Sequence, residues 1–531
     1  MIDEIIENMS VEEKVGQLFQ VGFSGTTPDK KIKDIIKNYH IGGIIYFSRN
    51  IENPEQTARL SNQLQDLSLN SGKGIPLLIS ADQEGGTVTR LTGATHFPGN
   101  MVLGATQSSK LTRKFARGVG SELKNLGINM NLAPVLDVNN NPNNPVIGVR
   151  SFGEDPELVA KLGSSYIEGL QGEGVIACAK HFPGHGDTDT DSHLNLPVIS
   201  HDRERLDKIE LVPFKKAINS GIDSIMTAHI YFPTIEKEVG VPATLSRSVL
   251  TGLLRKELEY EGLIITDCME MSAIADSYGT VEGAVRTLIA GSDTVLISHS
   301  YEKQIKAIEA VIGAVKSNRI SEYSIDESLK RILKLKEKRI SLNKFNKADH
   351  KKINFTVNKK IAKEIAEKGI TLIKGKDIIP VNDINKKEIA VLDFKMGRVS
   401  LVEDNKKHDN LFVNYLSEKT TNLAHITLEE KIELTEKEKR RLTKYDLIIV
   451  CTYNGLKNKE QLEIAEDLAE DNEVVIIALR NPYDYNFVNK VKGFITTYDY
   501  SPANQKAAAD LIAGEIKAKA ISPVTFGVDD K

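Results

Sequence analysis

The stretch Glu261-Gly262-Leu263-Ile264-Ile265-Thr266-Asp267 is a short, β-branched apolar run that ends on a single carboxylate. A run of this length without polar alternation reads as a strand buried on both faces, which is the habit of parallel sheets. The pattern recurs through the first three hundred residues, so strands are expected near 16–23, 42–48, 76–81, 130–138, 175–181, 221–229, 261–267 and 294–298. Amphipathic stretches lie between them. Pro54–Leu69, Lys110–Leu126, Pro156–Gly172 and Asp202–Asn219 are each long enough to return the chain across a sheet. Eight strands alternating with helices in this way predict an α/β fold, a (β/α)8 barrel of the TIM type. Ser10-Val11-Glu12-Glu13 has the form of a capping box opening a preliminary helix.

A helical run over 324–340 closes this unit, and the sequence then turns abruptly polar and charged from Asn343 to Lys352. The reading is a barrel domain over 1–342, a linker over 343–357 and a second α/β sandwich domain over 358–531. In that second part a helix is expected over Asn358–Lys368, strands at 388–394, 446–452, 473–479 and near 493–499, and a helix over Pro502–Ala513. Between Ser400 and Arg441 the residues are too charged for a strand order to be read.

At 531 residues the chain is long enough for two or three domains, and 40% hydrophobic with 27% charged residues excludes disordered, collagen-like and coiled-coil classes. The net charge of −4 offers no bulk positive field for a phosphate backbone, so nucleic acid is not an expected partner. Cys178, Cys268 and Cys451 are odd in number and scattered, which supports neither a disulfide framework nor a structural zinc site. No stretch approaches the ~18 apolar residues of a membrane helix. Met1–Glu7 lacks the basic and apolar regions of a secretory leader, so a cytoplasmic protein is expected, or an extracellular or cell-wall-associated one if a leader has been removed. A monomer without a cofactor is also expected.

Side chains at the C-terminal ends of barrel strands share one mouth, where barrel enzymes keep their chemistry. Here five strands end on an ionisable residue: Asp82, Asp137, Lys180 with His181, His229 and Asp267. Any one of these could be a strand end meeting solvent, whereas five together point to a site. Asp267 alone reads equally as a nucleophile, a base or a helix cap. The loop Lys180-His181-Phe182-Pro183-Gly184-His185-Gly186-Asp187-Thr188-Asp189-Thr190-Asp191-Ser192-His193 is the densest in chemistry. A calcium loop fails because its glycine and glutamate positions are Ser192 and Val198, and no zinc spacing is present, so no metal is expected. A solvated acidic loop is one remaining reading. The other is a catalytic loop in which Asp191, two residues away, orients His193 and raises its basicity.

The motif K-H-F-P-G-H-G-x-x-x-x-D-S-H-x-x-x-P resembles the signature of family 3 glycoside hydrolases of the β-N-acetylhexosaminidase branch. Asp82-Gln83-Glu84-Gly85-Gly86 with Arg90, Arg150-Ser151-Phe152-Gly153-Glu154-Asp155-Pro156 and Thr266-Asp267-Cys268-Met269-Glu270-Met271 match it as well, so the likeness covers the whole barrel. Arg480-Asn481-Pro482-Tyr483-Asp484 and Tyr500-Ser501-Pro502-Ala503 resemble, less specifically, the sandwich that follows the barrel in two-domain members.

The resemblance implies a retaining exo-β-N-acetylglucosaminidase. Asp267 would be the nucleophile, with His193, held by Asp191, as acid and base. Asp82, Arg90, Arg150, Lys180 and His181 would bind the terminal sugar. For Arg150 a local turn brace to Glu154 or Asp155 is the competing reading, while Asp137 and His229 are as readily supporting residues as sugar contacts. The adjacent Asp-Glu pair of substrate-assisted hexosaminidases is missing, since Asp267 is followed by Cys268. The resemblance also implies a small saccharide or muropeptide substrate from peptidoglycan turnover. A phosphorylase is the nearest alternative, because a histidine acid does not repel phosphate. A β-glucosidase or xylosidase and a non-catalytic saccharide-binding barrel are more distant ones. With no Trp and few aromatic residues, a short exo-acting pocket is expected rather than a long row of stacking subsites.

Overall fold

The computed structural model describes residues 1–192, 195–342, 345–395, 400, 402–403, 410–428 and 434–527. Eight parallel strands close into a barrel: β1 (Phe19–Gly22), β2 (Gly43–Tyr46), β3 (Leu78–Ala81), β4 (Met130–Asn131), β5 (Ile176–Phe182), β6 (Ser224–Thr227), β7 (Leu263–Cys268) and β8 (Thr294–Ile297). The expected strands are all present, and three details differ for local reasons. Gly16 and Gln17 belong to the helix Val11–Gln17, whose Ser10–Glu13 capping box forms as read, so β1 starts only at Phe19. Continuous pairing in β4 stops after two residues because Pro134 has no N–H to give, and contact with β5 resumes at Val135 opposite Lys180. The expected helix over Asp202–Asn219 is broken into Arg203–Lys208 and Val212–Asn219. Pro213 cannot donate back to the preceding turn, and the break turns Glu210 inward, where it is buried.

The lower end of the barrel is closed by the helix Glu322–Arg339. Its Lys336 is fully buried and donates to Gln17 Oε1 and to Gly42 O, both at 2.9 Å. Gly42 is required there, since a Cβ would stand 1.9 Å from Gln17 O.

The second sheet has the order β11-β10-β12-β13-β14-β9, built from β9 (Thr371–Lys374), β10 (Ile389–Phe394), β11 (Leu423–Leu428), β12 (Leu447–Thr452), β13 (Val474–Ala478) and β14 (Gly493–Thr496). All pairs are parallel except β9 with β14. Helices Phe355–Gly369 and Pro502–Ile512 cover one face of it and Glu460–Leu468 the other, the first beginning within the stretch read as linker. β9 and β11 were not visible in the sequence. They are the two edges, and β11 alternates exposed and half-buried residues instead of forming an apolar run.

The two parts are stitched by buried polar contacts. Asp499, fully buried, accepts from Gly99 N at 2.6 Å and from Ser501 N at 2.7 Å. Asn139 donates to the Tyr483 hydroxyl at 3.0 Å, and Glu154 N to Pro523 O at 3.1 Å. Removing the Asp499 carboxylate strands a buried donor, so Asp499→Ala is expected to cost about 1–3 kcal/mol. The check is a lowered midpoint of chemical unfolding with intact secondary structure.

Candidate active site

At the C-terminal edge of the barrel strands lies a cavity of about 550 Å³. Asp82 after β3, Lys180 and His181 on β5 and Asp267 on β7 all line it, together with Arg90 and Arg150 from the connecting loops. Six of the eight residues expected at the site therefore converge. Asp191 lies on the loop after β5, whose Ser192 also lines the cavity. His193 lies outside the described residues.

Glu84 organises the polar wall. It is buried, and its Oε1 lies 2.7 Å from Arg150 and 2.8 Å from Lys180 Nζ, while Oε2 accepts from Arg150 Nε at 2.9 Å. Burial pushes this carboxyl up, but the two cations outweigh it and hold Glu84 well below the usual carboxylate range. Lys180 in turn donates to Asp82 Oδ1 at 2.7 Å, and its ammonium is held above its ordinary value despite burial by Asp82 and Glu84. Arg90 stands 4.0 Å from the other Asp82 oxygen and donates to Val402 O at 2.8 Å. This arrangement replaces the local-brace reading of Arg150: the guanidinium pairs with Glu84, while Asp155 caps the helix Pro156–Gly172 instead.

Asp137 and His229 do not line the cavity. Asp137 is completely buried and accepts from His181 Nδ1 at 2.7 Å, from His181 N at 3.1 Å and from His185 N at 2.7 Å. It fixes the His181 ring so that Nε2 is the nitrogen left for the cavity. Burial raises its pKa, yet the His181 interactions prevail and keep it ionised below the ordinary range. His229 joins Thr244 Oγ1 at 2.8 Å and Cys268 O at 3.0 Å, bracing the peptide that follows Asp267. The Asp267 carboxylate accepts from Cys268 N at 2.7 Å.

The loop after β5 is seated by backbone as well. Gly186 packs so closely on the strand-four extension that a Cβ would lie 1.7 Å from Val138 O. His185 is buried between Thr188 Oγ1 at 2.8 Å and Ser192 Oγ at 3.1 Å. Burial pushes its ring down to about 4, so at neutral pH it is an uncharged strut.

Several lining residues had no clear signal in the sequence. Arg49 and His299 come from loops after β2 and β8, and Val402 and Glu403 come from the second domain. Glu403 is buried and paired with Arg480 at 2.8 Å. Cys268, Glu270 and His299 bring ligand atoms within 4.8 Å of one another on the cavity wall. Glu270, however, accepts from His299 N at 2.6 Å and Ser300 N at 3.0 Å, which makes it a brace for the turn leading into the helix Tyr301–Lys316.

Residues 10–335 match the Glycosyl hydrolase family 3 N terminal domain. The chain belongs to this family. It is 38% identical to beta-hexosaminidase A of Pseudoalteromonas piscicida over 67% of its own length and 63% of that relative's, so the match spans less than two thirds of the relative. It is 27% identical to a beta-N-acetylglucosaminidase/beta-glucosidase of Cellulomonas fimi, over 98% of this chain and 94% of that one. The solved glycoside hydrolase family 3 beta-N-acetylglucosaminidase of Paenibacillus sp. str. FPU-7 superposes with a TM-score of 0.90 at 41% identity, covering 97% of this chain and 99% of that one. The barrel followed by an α/β sandwich is thus the architecture of a two-domain family 3 glycoside hydrolase.

Two outcomes follow from this geometry. Glu84→Gln leaves Arg150 and Lys180 buried with too little counter-charge and is expected to cost about 3–5 kcal/mol of stability, measured by chemical unfolding. The second concerns pH. An unfolded His185 takes up a proton near 6.5, while the folded one resists until about 4, so stability falls as pH drops through that interval. Between pH 6.5 and 5 the unfolding free energy of His185→Gln should decline less steeply than that of the parent.

Proposed function

We propose that this family 3 glycoside hydrolase is a retaining exo-β-N-acetylglucosaminidase acting on small saccharides, with peptidoglycan-derived muropeptides as the natural source. The observation that carries the reading is the convergence of Asp267 with the Asp82–Lys180 pair, Arg90 and His181 in one compact cavity at the strand ends. The hexosaminidase and acetylglucosaminidase names of the relatives that match at 38% and 41% identity support the substrate class.

In this reading Asp82 accepts from sugar hydroxyls while Lys180, Arg90 and His181 donate to them, which places the anomeric carbon over Asp267. Arg150 acts through Glu84, keeping Lys180 in place. The Asp267 carboxylate attacks the anomeric carbon as the glycosidic bond breaks, and His193, paired with Asp191, gives its proton to the leaving oxygen. The neutral imidazole then takes a proton from water, whose oxygen displaces Asp267 and restores the β configuration. A protonated histidine beside an aspartate is neutral as a pair, so the dyad carries no net charge when the acid is ready to act.

The test is the product released from an aryl N-acetyl-β-glucosaminide with and without phosphate, followed by NMR and mass spectrometry. Free N-acetylglucosamine appearing first as the β anomer in both conditions is the expected result. A sugar 1-phosphate formed with faster turnover would make the enzyme a phosphorylase. Cleavage of only a β-glucoside would overturn the N-acetyl assignment. Asp267→Ala should lose about four orders of magnitude or more in kcat while keeping its fold.

A further inference from the structure

At the root of the loop after β5, outside the cavity at the strand ends, Asp187, His201 and Glu210 each bring one ligand atom within 4.8 Å of the others. They are separated in sequence and follow no zinc spacing, and only the broken helix over 203–219 brings Glu210 to the other two. One feature is unusual for a plain ion-pair cluster. Glu210 is buried to 3% exposure, yet its Oε2 has no hydrogen-bond partner, and neither does the buried Oδ1 of Asn140, whose amide donates to Glu210 Oε1 at 3.3 Å. His201 Nε2 is in direct contact with Asp187 Oδ2.

We propose that Asp187, His201 and Glu210 form a zinc site at the root of the loop that carries Asp191 and His193. One imidazole nitrogen and two carboxylate oxygens suit Zn²⁺, whose tetrahedral ligands stand roughly 3.4 Å apart, so shifts of about 1 Å assemble the site. The ion takes the place of the proton between His201 Nε2 and Asp187, and that proton goes to solvent. The side chains of His201 and Asp187 are 36% and 21% exposed, which gives the ion an entry path, while water completes the coordination. Arg205 is the competitor, at 3.7 Å from Asp187 and 3.4 Å from Glu210. Its Nε has no hydrogen-bond partner and its side chain is 34% exposed, so it can turn outward, leaving two carboxylates to neutralise the dication. Bound zinc ties the loop after β5 to the junction before Val212 and so restrains the segment bearing the dyad.

The experiment is calorimetric titration of Zn²⁺ into the metal-free 531-residue chain, with circular dichroism confirming that each variant is folded. One zinc per chain is expected, weakened by about tenfold or more in His201→Asn and Glu210→Gln. Arg205→Gln should bind zinc about tenfold more tightly, because a neighbouring positive charge is removed. Cys268→Ser should keep the binding event, which separates this site from the Cys268–Glu270–His299 group. Absence of binding in the parent, full binding in folded His201→Asn, or loss of binding in Cys268→Ser would overturn the assignment.

Discussion

The active-site wall depends on a carboxylate that does not itself line the cavity. Glu84, buried beneath Asp82, holds Arg150 by two hydrogen bonds and Lys180 by a third contact, joining β3, β5 and the loop after β4 through one side chain. Charges buried this deeply survive only when each is paired and hydrogen-bonded, because the cost of desolvation is otherwise not recovered. The constraint works in both directions. Glu84 keeps two cations charged inside the protein, and one of them, Lys180, holds Asp82 in position at the rim.

A second buried carboxylate does for the histidines what Glu84 does for the cations. Asp137 accepts hydrogen bonds from His181 Nδ1–H and from the backbone N–H groups of His181 and His185, so ring orientation and loop entry are set together. The loop then runs over Val138, where only glycine fits at 186, and rests on the uncharged His185. Chemistry at the mouth thus rests on a floor whose polar groups are committed to one another. From outside, the second domain adds Val402 and Glu403 and holds Arg90 through the Val402 carbonyl. The sandwich is therefore part of the cavity wall as well as a brace on the barrel.

Much of this was legible in the sequence, for identifiable reasons. Barrel strands are apolar on both faces and end on ionisable residues, so β7 and Asp267, or β5 and Lys180, announce themselves. Helices with Pro at their first turn, such as Pro54–Leu69 and Pro156–Gly172, were bounded to the residue. What could not be read depends on long-range pairing. Glu84 lies two residues from Asp82, and nothing local separates a sugar contact from a buried counter-ion. Arg150 had acidic neighbours at Glu154 and Asp155, yet its partner is 66 residues away. Edge strands such as β11, half exposed and set in charged sequence, carry no apolar run to find. Pro213 was visible, but the inward turn of Glu210 that its break produces was not.

The most direct test of the account is to trap the glycosyl-enzyme. A 5-fluoro N-acetylglucosaminyl fluoride pairs a good leaving group with a slowed second step, so the covalent species should accumulate. Peptide mapping by mass spectrometry should then find one N-acetyl-fluoroglucosaminyl group esterified to Asp267. Label on another residue, or turnover of the reagent with a first-formed α product and no covalent species, would contradict the double displacement on which the reading of this site rests.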